Sequence, residues 1–235
     1  MATTFQTVPE MLLHRVAATP DRTAFSYPVG SGWKQVSWKQ FGEQVKHIAM
    51  GLRSLGLKNE ERVAIFSGTR YEWVAADIGI LAGAGATTTI YPSSTSEDCE
   101  HILNDSGSVF VFAETDEHVS KLEKIRGKLT NIRKVITFDG KASADGWVMT
   151  LNELIEKGRP SSDADYEAVA KSVKNQDIAT LIYTSGTTGK PKGVVLTHDC
   201  WVYEAEGIDE MKLLVSDDVQ FFWLPLAHSF GKVLE

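Results

Sequence analysis

The stretch YTSGTTGKPKGVVLTH, at residues 183–198, is the most informative part of the sequence. It follows an apolar run at residues 179–183 that predicts a buried strand. Gly186, Gly189 and Gly193 let a backbone turn sharply and bring its amides close to phosphate oxygens, while hydroxyls and lysines add donors and charge. The stretch therefore predicts a polyphosphate-binding loop directly after a strand.

Two common phosphate-binding motifs do not fit this loop. A Walker A loop requires Ser or Thr after its lysine, whereas Pro191 follows Lys190 here. The GxGxxG pattern of dinucleotide-binding proteins does not occur in it either. The loop therefore indicates a different class of nucleotide-binding protein.

At every position from Leu181 to Lys192, the sequence resembles the signature of the adenylate-forming superfamily of acyl-CoA synthetases, adenylation domains and luciferases. The alternative is an ordinary Gly/Thr surface loop with two solvated lysines, which a match of this length after a strand disfavours. The resemblance implies that Thr184 supplies one oxygen to Mg²⁺ and that Lys192 is a candidate catalytic residue. It also implies that the β- and γ-phosphates of ATP are held by Ser185, Gly186, Thr187, Thr188, Gly189, Lys190 and Lys192.

A second motif, FFWLPLAHSFG at residues 221–231, resembles the next segment of the same family. There a strand ends in Pro-Leu-Ala-His and the histidine lines the acyl pocket near the reacting carboxylate, a catalytic role that falls on His228. Taken alone, a histidine after an apolar run is more often a satisfied core residue. Long-chain enzymes often continue with a Phe-Glu-Arg-like run where this chain has Ser229 to Lys232, so Phe230 is only a candidate for the aromatic gate of a fatty-acid tunnel.

The rest of the chain predicts an α/β protein. Thr7 with Glu10 and Ser37 with Gln40 are capping boxes that start helices, and a hairpin is expected between them at residues 23–27 and 33–37. Beyond residue 62, strands alternate with helices, which implies parallel strands with right-handed crossovers. The predicted strands are residues 63–66, 87–90, 109–112 and 135–138. The helices expected after them are residues 70–81, 97–103 and 117–129, then a short one capped by Thr150 and another at residues 163–173.

The N-terminal half resembles long-chain acyl-CoA synthetases at residues 33–106, although core packing alone would explain its helical spacing of Trp73, Ile78 and Leu81. The resemblance implies a partial N-terminal AMP-binding domain of parallel-sheet α/β subdomains. Its first part is expected at about residues 1–175, and the part with the phosphate loop at about 176–235. The family's Tyr-Gly-x-Thr-Glu segment, its ribose-binding Asp and its C-terminal lid with the adenylation Lys would follow Glu235. We therefore expect a truncated form that is inactive alone.

The implied function is ATP-dependent activation of a long-chain fatty acid to an acyl-adenylate, followed by thioester formation with CoA. ATP and Mg²⁺ would be required, with fatty acid and CoA as the other small-molecule partners. Two alternatives stay open. One is adenylation of another carboxylic acid, as in fatty-acyl-AMP ligases, aryl-CoA ligases or peptide synthetases. The other is a non-catalytic nucleotide-binding remnant.

Composition excludes several other classes of protein. A formal net charge of −7 disfavours nucleic acid as a partner. The two cysteines have neither metal-site nor disulfide-framework spacing, and no basic-then-apolar leader or long apolar run is present. We expect a cytoplasmic protein without a transmembrane segment, with peripheral membrane association and oligomeric state left open.

Overall fold

A mostly parallel sheet organises the chain. The computed structural model describes residues 5–184, 190–212, 214–215 and 217–233. Among these, seven strands form one sheet in the order β7-β6-β5-β3-β4-β8-β9, parallel throughout except for the antiparallel pair β8–β9. A separate antiparallel hairpin consists of β1 and β2. The strands are β1 (Thr23–Val29), β2 (Gly32–Ser37), β3 (Arg62–Phe66), β4 (Ala86–Ile90), β5 (Phe110–Ala113), β6 (Lys134–Thr137), β7 (Val148–Thr150), β8 (Ile178–Thr184) and β9 (Lys192–Thr197).

Helices cover both faces of the sheet. They are α1 (Val8–Ala18), α2 (Trp38–Ser54), α3 (Tyr71–Ala82), α4 (Ser96–Ser106), α5 (Asp116–Glu123), α6 (Leu151–Gly158), α7 (Asp163–Ser172), α8 (His198–Glu210) and α9 (Ser229–Val233), with a 3₁₀ turn at Arg126–Lys128. In β3, Val63 and Ile65 join a core with α1, α2, α3, α6 and α7, whereas Ala64 and Phe66 join a core with α4 and α5. This alternation follows from the two-residue period of a strand. The α/β fold expected from the sequence is confirmed.

Short-range capping fixes where several helices begin. Complete capping boxes start α2 at Ser37, α4 at Thr95 and α6 at Thr150. At α1 the Thr7 hydroxyl accepts from the Glu10 amide at 3.3 Å, but the Glu10 carboxylate accepts from the amide of Gln6 instead of Thr7. The capping box expected there is therefore only half formed.

The structure corrects four expectations from the sequence. Helix α5 was expected to reach residue 129 but ends at Glu123. Strand β7, which follows the loop at residues 139–147, was not predicted from the sequence. Residues 192–197, expected to continue the phosphate loop, form the antiparallel strand β9. Residues 221–225 do not form a strand; in place of a strand ladder, the backbone of Leu224 and Leu226 is bonded to the side chain of Thr69 beyond the end of β3.

Candidate functional site

The carboxyl ends of β3, β4 and β8 meet at one edge of the sheet. A cavity of about 230 Å³ lies there. It is lined by Ser67, Gly68 and Thr69 after β3, Pro92 after β4, and Trp223, Pro225, Leu226 and Ala227. Open α/β sheets bind ligands outside the carboxyl ends of their strands, where loops leave toward opposite faces. This edge of the sheet is therefore the candidate ligand-binding site.

Both described ends of the phosphate loop lie at this edge. Thr184 is the last residue of β8, is exposed, and stands opposite Lys192, the first residue of β9. Lys190 and Lys192 are also exposed. The other residues to which the sequence assigned phosphate binding, Ser185, Gly186, Thr187, Thr188 and Gly189, lie outside the described residues. The described ends bring one hydroxyl and two cations to the mouth of the loop.

Helix α4 clamps both ends of the loop. Tyr183 donates its hydroxyl to Asp105 Oδ2 at 2.7 Å, and burial together with this carboxylate raises the pKa of the phenol. His101 Nε2 lies 2.8 Å from the carbonyl of Pro191, so that nitrogen carries the proton and donates it. His101 and Asp105, four residues apart on one helical face, fix where the chain leaves and returns. The sequence offered no signal for them beyond this spacing.

Two threonine hydroxyls hold the second motif over the sheet. Thr69 Oγ1 donates to the carbonyl of Leu224 at 2.7 Å and accepts from the amide of Leu226 at 3.2 Å. Thr89 Oγ1 donates to the carbonyl of Ala227 at 3.1 Å, in a buried position. The motif is thus attached to the ends of β3 and β4 by side chains, without a strand ladder.

These bonds bring His228 to the carboxyl end of β4, the strand that neighbours β8. It directly follows Ala227, whose partner Thr89 pairs in the sheet with Ile182, two residues before Thr184. His228 is exposed, and its Nδ1 accepts from the amide of Phe230 at 3.3 Å. A cavity of about 280 Å³ opens here, lined by Tyr91, Leu224, Pro225, His228, Phe230 and Gly231. The structure therefore brings the two sequence motifs to the same edge.

An ion-pair network joins the neighbouring loops. Arg70, after β3, contacts Glu72 at 2.7 Å, Asp139 at 2.5 Å and Glu114 at 3.7 Å. Burial alone lowers the pKa of this guanidinium, but hydrogen bonds to Asp139 and Glu72 outweigh burial and raise it. Glu114 also accepts from the amide of Gly68 at 2.9 Å. The loops after β3, β5 and β6 are thereby fixed together beside the first cavity.

A mostly parallel sheet with a glycine-rich sequence after the carboxyl end of an inner strand is typical of nucleotide-binding α/β proteins. The family described as AMP-binding enzyme matches residues 12–235. The chain belongs to this family of adenylate-forming ligases.

Individual relatives agree with this assignment. The long-chain-fatty-acid–CoA ligase FadD15 of Mycobacterium bovis is 34% identical over 97% of this chain, which spans 37% of that protein. The crystal structure of a long-chain-fatty-acid–CoA ligase from Archaeoglobus fulgidus superposes with a TM-score of 0.79 at 21% identity, over 97% of this chain and 44% of that one. A fatty acyl-adenylate ligase from L. pneumophila, in complex with acyl adenylate and pyrophosphate, gives 0.74 at 21% identity, over 97% of this chain and 37% of that one. The two structural likenesses show the shared fold.

Two further observations bear on partners. None of the helices formed by the described residues combines the length and apolarity needed to span a membrane. Within the same residues, no three His, Cys, Asp or Glu side chains gather in a group that could hold a metal ion.

Proposed function

We propose that this chain supplies the ATP-phosphate and acyl-carboxylate binding elements of a long-chain fatty acid–CoA ligase. In that reaction the fatty-acid carboxylate attacks the α-phosphorus of ATP and pyrophosphate leaves. The thiol of CoA then attacks the acyl carbon of the acyl-adenylate and AMP leaves. The observation that carries the proposal is that Ala227, the residue before His228, is bonded to Thr89 of β4, the strand that pairs with β8, and that the cavity lined by His228 also includes Tyr91 after β4.

The main barrier to adenylation is electrostatic. Two anions must approach, and negative charge accumulates on the departing pyrophosphate. The exposed ammonium groups of Lys190 and Lys192 fit this requirement, because they stand at the mouth of the loop where the β- and γ-phosphates would lie. Mg²⁺ would neutralise phosphate charge. Thr184 offers it a single oxygen, so phosphate oxygens and water would complete its shell.

The acyl side is assigned to the second cavity. Apolar Leu224, Pro225 and Phe230 line it together with His228. Since Nδ1 of this imidazole accepts from the chain, Nε2 is the nitrogen available to a carboxylate. The long-chain specificity is supported by the relative at 34% identity, which is a long-chain-fatty-acid–CoA ligase. The chain's own residues favour an apolar acid of any length.

Nucleotide binding tests the phosphate assignment. We expect the amide signals of Thr184, Lys190, Lys192 and Gly193 to shift in NMR spectra on addition of Mg·ATP. The double variant Lys190→Ala/Lys192→Ala should raise Kd about tenfold through loss of two charge-assisted contacts. Lys157→Ala/Lys171→Ala removes the same charge from distant exposed helices and serves as the matched control. Equal weakening by both double variants would refute a specific site.

Turnover is a separate question. The 235-residue polypeptide alone is expected to bind nucleotide weakly and to show no pyrophosphate exchange with palmitate, because the family's Glu, ribose-binding Asp and adenylation Lys segments are not among its residues. Clear exchange by this polypeptide would contradict the expectation.

The choice of acid is tested by the NMR signal of the His228 imidazole. A larger shift of this signal with palmitate than with benzoate supports a fatty acid, and the reverse supports an aryl acid.

A further inference from the structure

A buried ion pair lies beneath the second motif. Lys232 Nζ in α9 contacts Asp77 Oδ2 in α3, and their side chains are 4% and 0% exposed. The ammonium also lies 5.4 Å from the ring centroid of Trp73 and 5.3 Å from that of Trp201. An aspartate on α3 is thus joined to a residue 155 positions later in the sequence.

The pair connects directly to the turn that carries His228. The backbone amide of Lys232 donates to the carbonyl of His228 at 3.0 Å, and the amide of His228 donates to the carbonyl of Pro225 at 3.0 Å. Holding the side chain of Lys232 against α3 therefore fixes the helical turn that begins at His228. The hydroxyls of Thr69 and Thr89 hold the residues before the histidine, while the ion pair holds the residues after it.

A buried ion pair of this kind is not expected to add much to the free energy of folding. Removing two charges from water carries a desolvation cost that their attraction often fails to recover, and apolar residues of the same volume usually stabilise a core as well. A buried ion pair differs from an apolar contact in its geometric specificity, because the two charged groups are satisfied in only one relative position. In addition, Oδ1 of Asp77 has no hydrogen-bond partner among the described residues, so the carboxylate is held by a contact that α9 supplies.

We propose that Asp77 and Lys232 are positioning residues that set the place of His228 at the candidate acyl site. The role of His228 in this inference rests on the proposed function. The anchor, by which we mean the Asp77–Lys232 ion pair that holds residues 228–232, does not depend on it. The two parts are tested by different measurements on the same 235-residue chain.

Hydrogen exchange tests the anchor. In Asp77→Asn/Lys232→Met, which removes both charges while keeping volume, we expect amides of residues 226–233 to exchange about tenfold faster, while β3 and β5 keep their protection. Lys232→Arg retains the charge and should stay close to the wild-type chain. The exposed pair Lys171–Glu167, joined at 2.6 Å, gives the control Glu167→Gln, which should change neither region.

Two results would overturn the anchor: unchanged protection at residues 226–233 in the neutral double variant, or an equal loss of protection throughout the sheet, which would indicate a merely stabilising pair. The imidazole NMR signal of His228 tests its link to function. We expect palmitate to shift this signal in the wild-type chain and in Lys232→Arg, and to shift it at least about threefold less in the double variant. A wild-type signal that ignores palmitate would refute the acyl site and leave the exchange result to decide the anchor.

Discussion

We expect the substitution His198→Asn to reduce the loss in free energy of unfolding that accompanies acidification from pH 7 to pH 4. His198 is the first residue of α8 and is 1% exposed. Its Nδ1 accepts from the backbone amide of Val8 at 3.4 Å, which requires the neutral ring. Asparagine keeps an acceptor near the same position and cannot take up a proton, so it isolates the effect of charge.

The magnitude follows from the pKa of this histidine. Burial lowers it from 6.5 to about 4; Asp177 and Asp77 act to raise it, and Lys232 acts to lower it. At pH 7 the imidazole is neutral in the folded and unfolded chains. Below 6.5 the unfolded chain takes up a proton that the folded chain refuses, so the free energy of unfolding falls until the pH reaches about 4. One pKa unit corresponds to about 1.4 kcal/mol, which gives a loss of about 3 kcal/mol between pH 7 and pH 4.

Urea unfolding followed by tryptophan fluorescence at pH 7, 6, 5 and 4 measures this loss. His198→Asn starts lower at pH 7 because packing is lost, but its free energy of unfolding should fall by about 3 kcal/mol less than that of the wild-type chain. Taking the difference cancels the contributions of other titrating groups. Exposed His14→Asn is the control and should run parallel to the wild-type curve. Parallel curves for His198→Asn as well would refute a neutral buried imidazole.

Two other predictions concern close packing and thiol access. In Gly231→Ala the new Cβ would lie 2.3 Å from the carbonyl oxygen of Pro225, so we expect the free energy of unfolding in urea to fall by about 1–3 kcal/mol. The control Gly207→Ala, where a Cβ would have no atom within 4 Å, should raise the free energy of unfolding by up to about 1 kcal/mol. Equal effects of the two variants would contradict the steric argument. Exposed Cys200 should react with a disulfide reagent at pH 8, whereas Cys99, whose pKa is raised to about 12 by burial, should react only on unfolding; rapid release of two equivalents would contradict this.

Features governed by neighbouring residues were predictable from the sequence. The capping boxes at Ser37 and Thr150 join residues three apart, so they appear as a local pattern and are confirmed. The buried strands β3, β4, β5 and β8 have apolar or β-branched runs and were also found. Strand β7 has only three residues after a polar loop and carries no strong pattern. Strand β9 does contain the apolar run Val194–Leu196, but its residues were assigned to the phosphate loop. Their existence depends on β6 and β8 as partners, which local sequence does not report.

The candidate site was likewise only partly predictable, because some of its residues are contiguous in sequence and others are distant. Its phosphate loop is a contiguous motif and could be named from sequence, whereas its supports are distant. Asp105 contacts Tyr183 from 78 residues away, and His101 contacts Pro191 from 90. Neither pair has a pattern of its own, because the contact arises only when α4 packs beside β8. The sequence therefore indicated the groups that we propose to meet the ligand and gave no sign of the groups that hold them.

Strand β4 explains how the two motifs are brought together. Its central residues, Thr87, Thr88 and Thr89, are buried at 0%, 0% and 2% exposure, where valine would fit the strand as well without burying a hydroxyl. The hydroxyls of Thr87 and Thr88 have no partner among the described residues, but Thr89 donates to Ala227. A buried hydroxyl that finds its partner outside the sheet contributes direction as well as stability. Through Thr89, the strand beside β8 holds the residue before His228, so a buried residue of the sheet fixes where the second motif lies relative to β8.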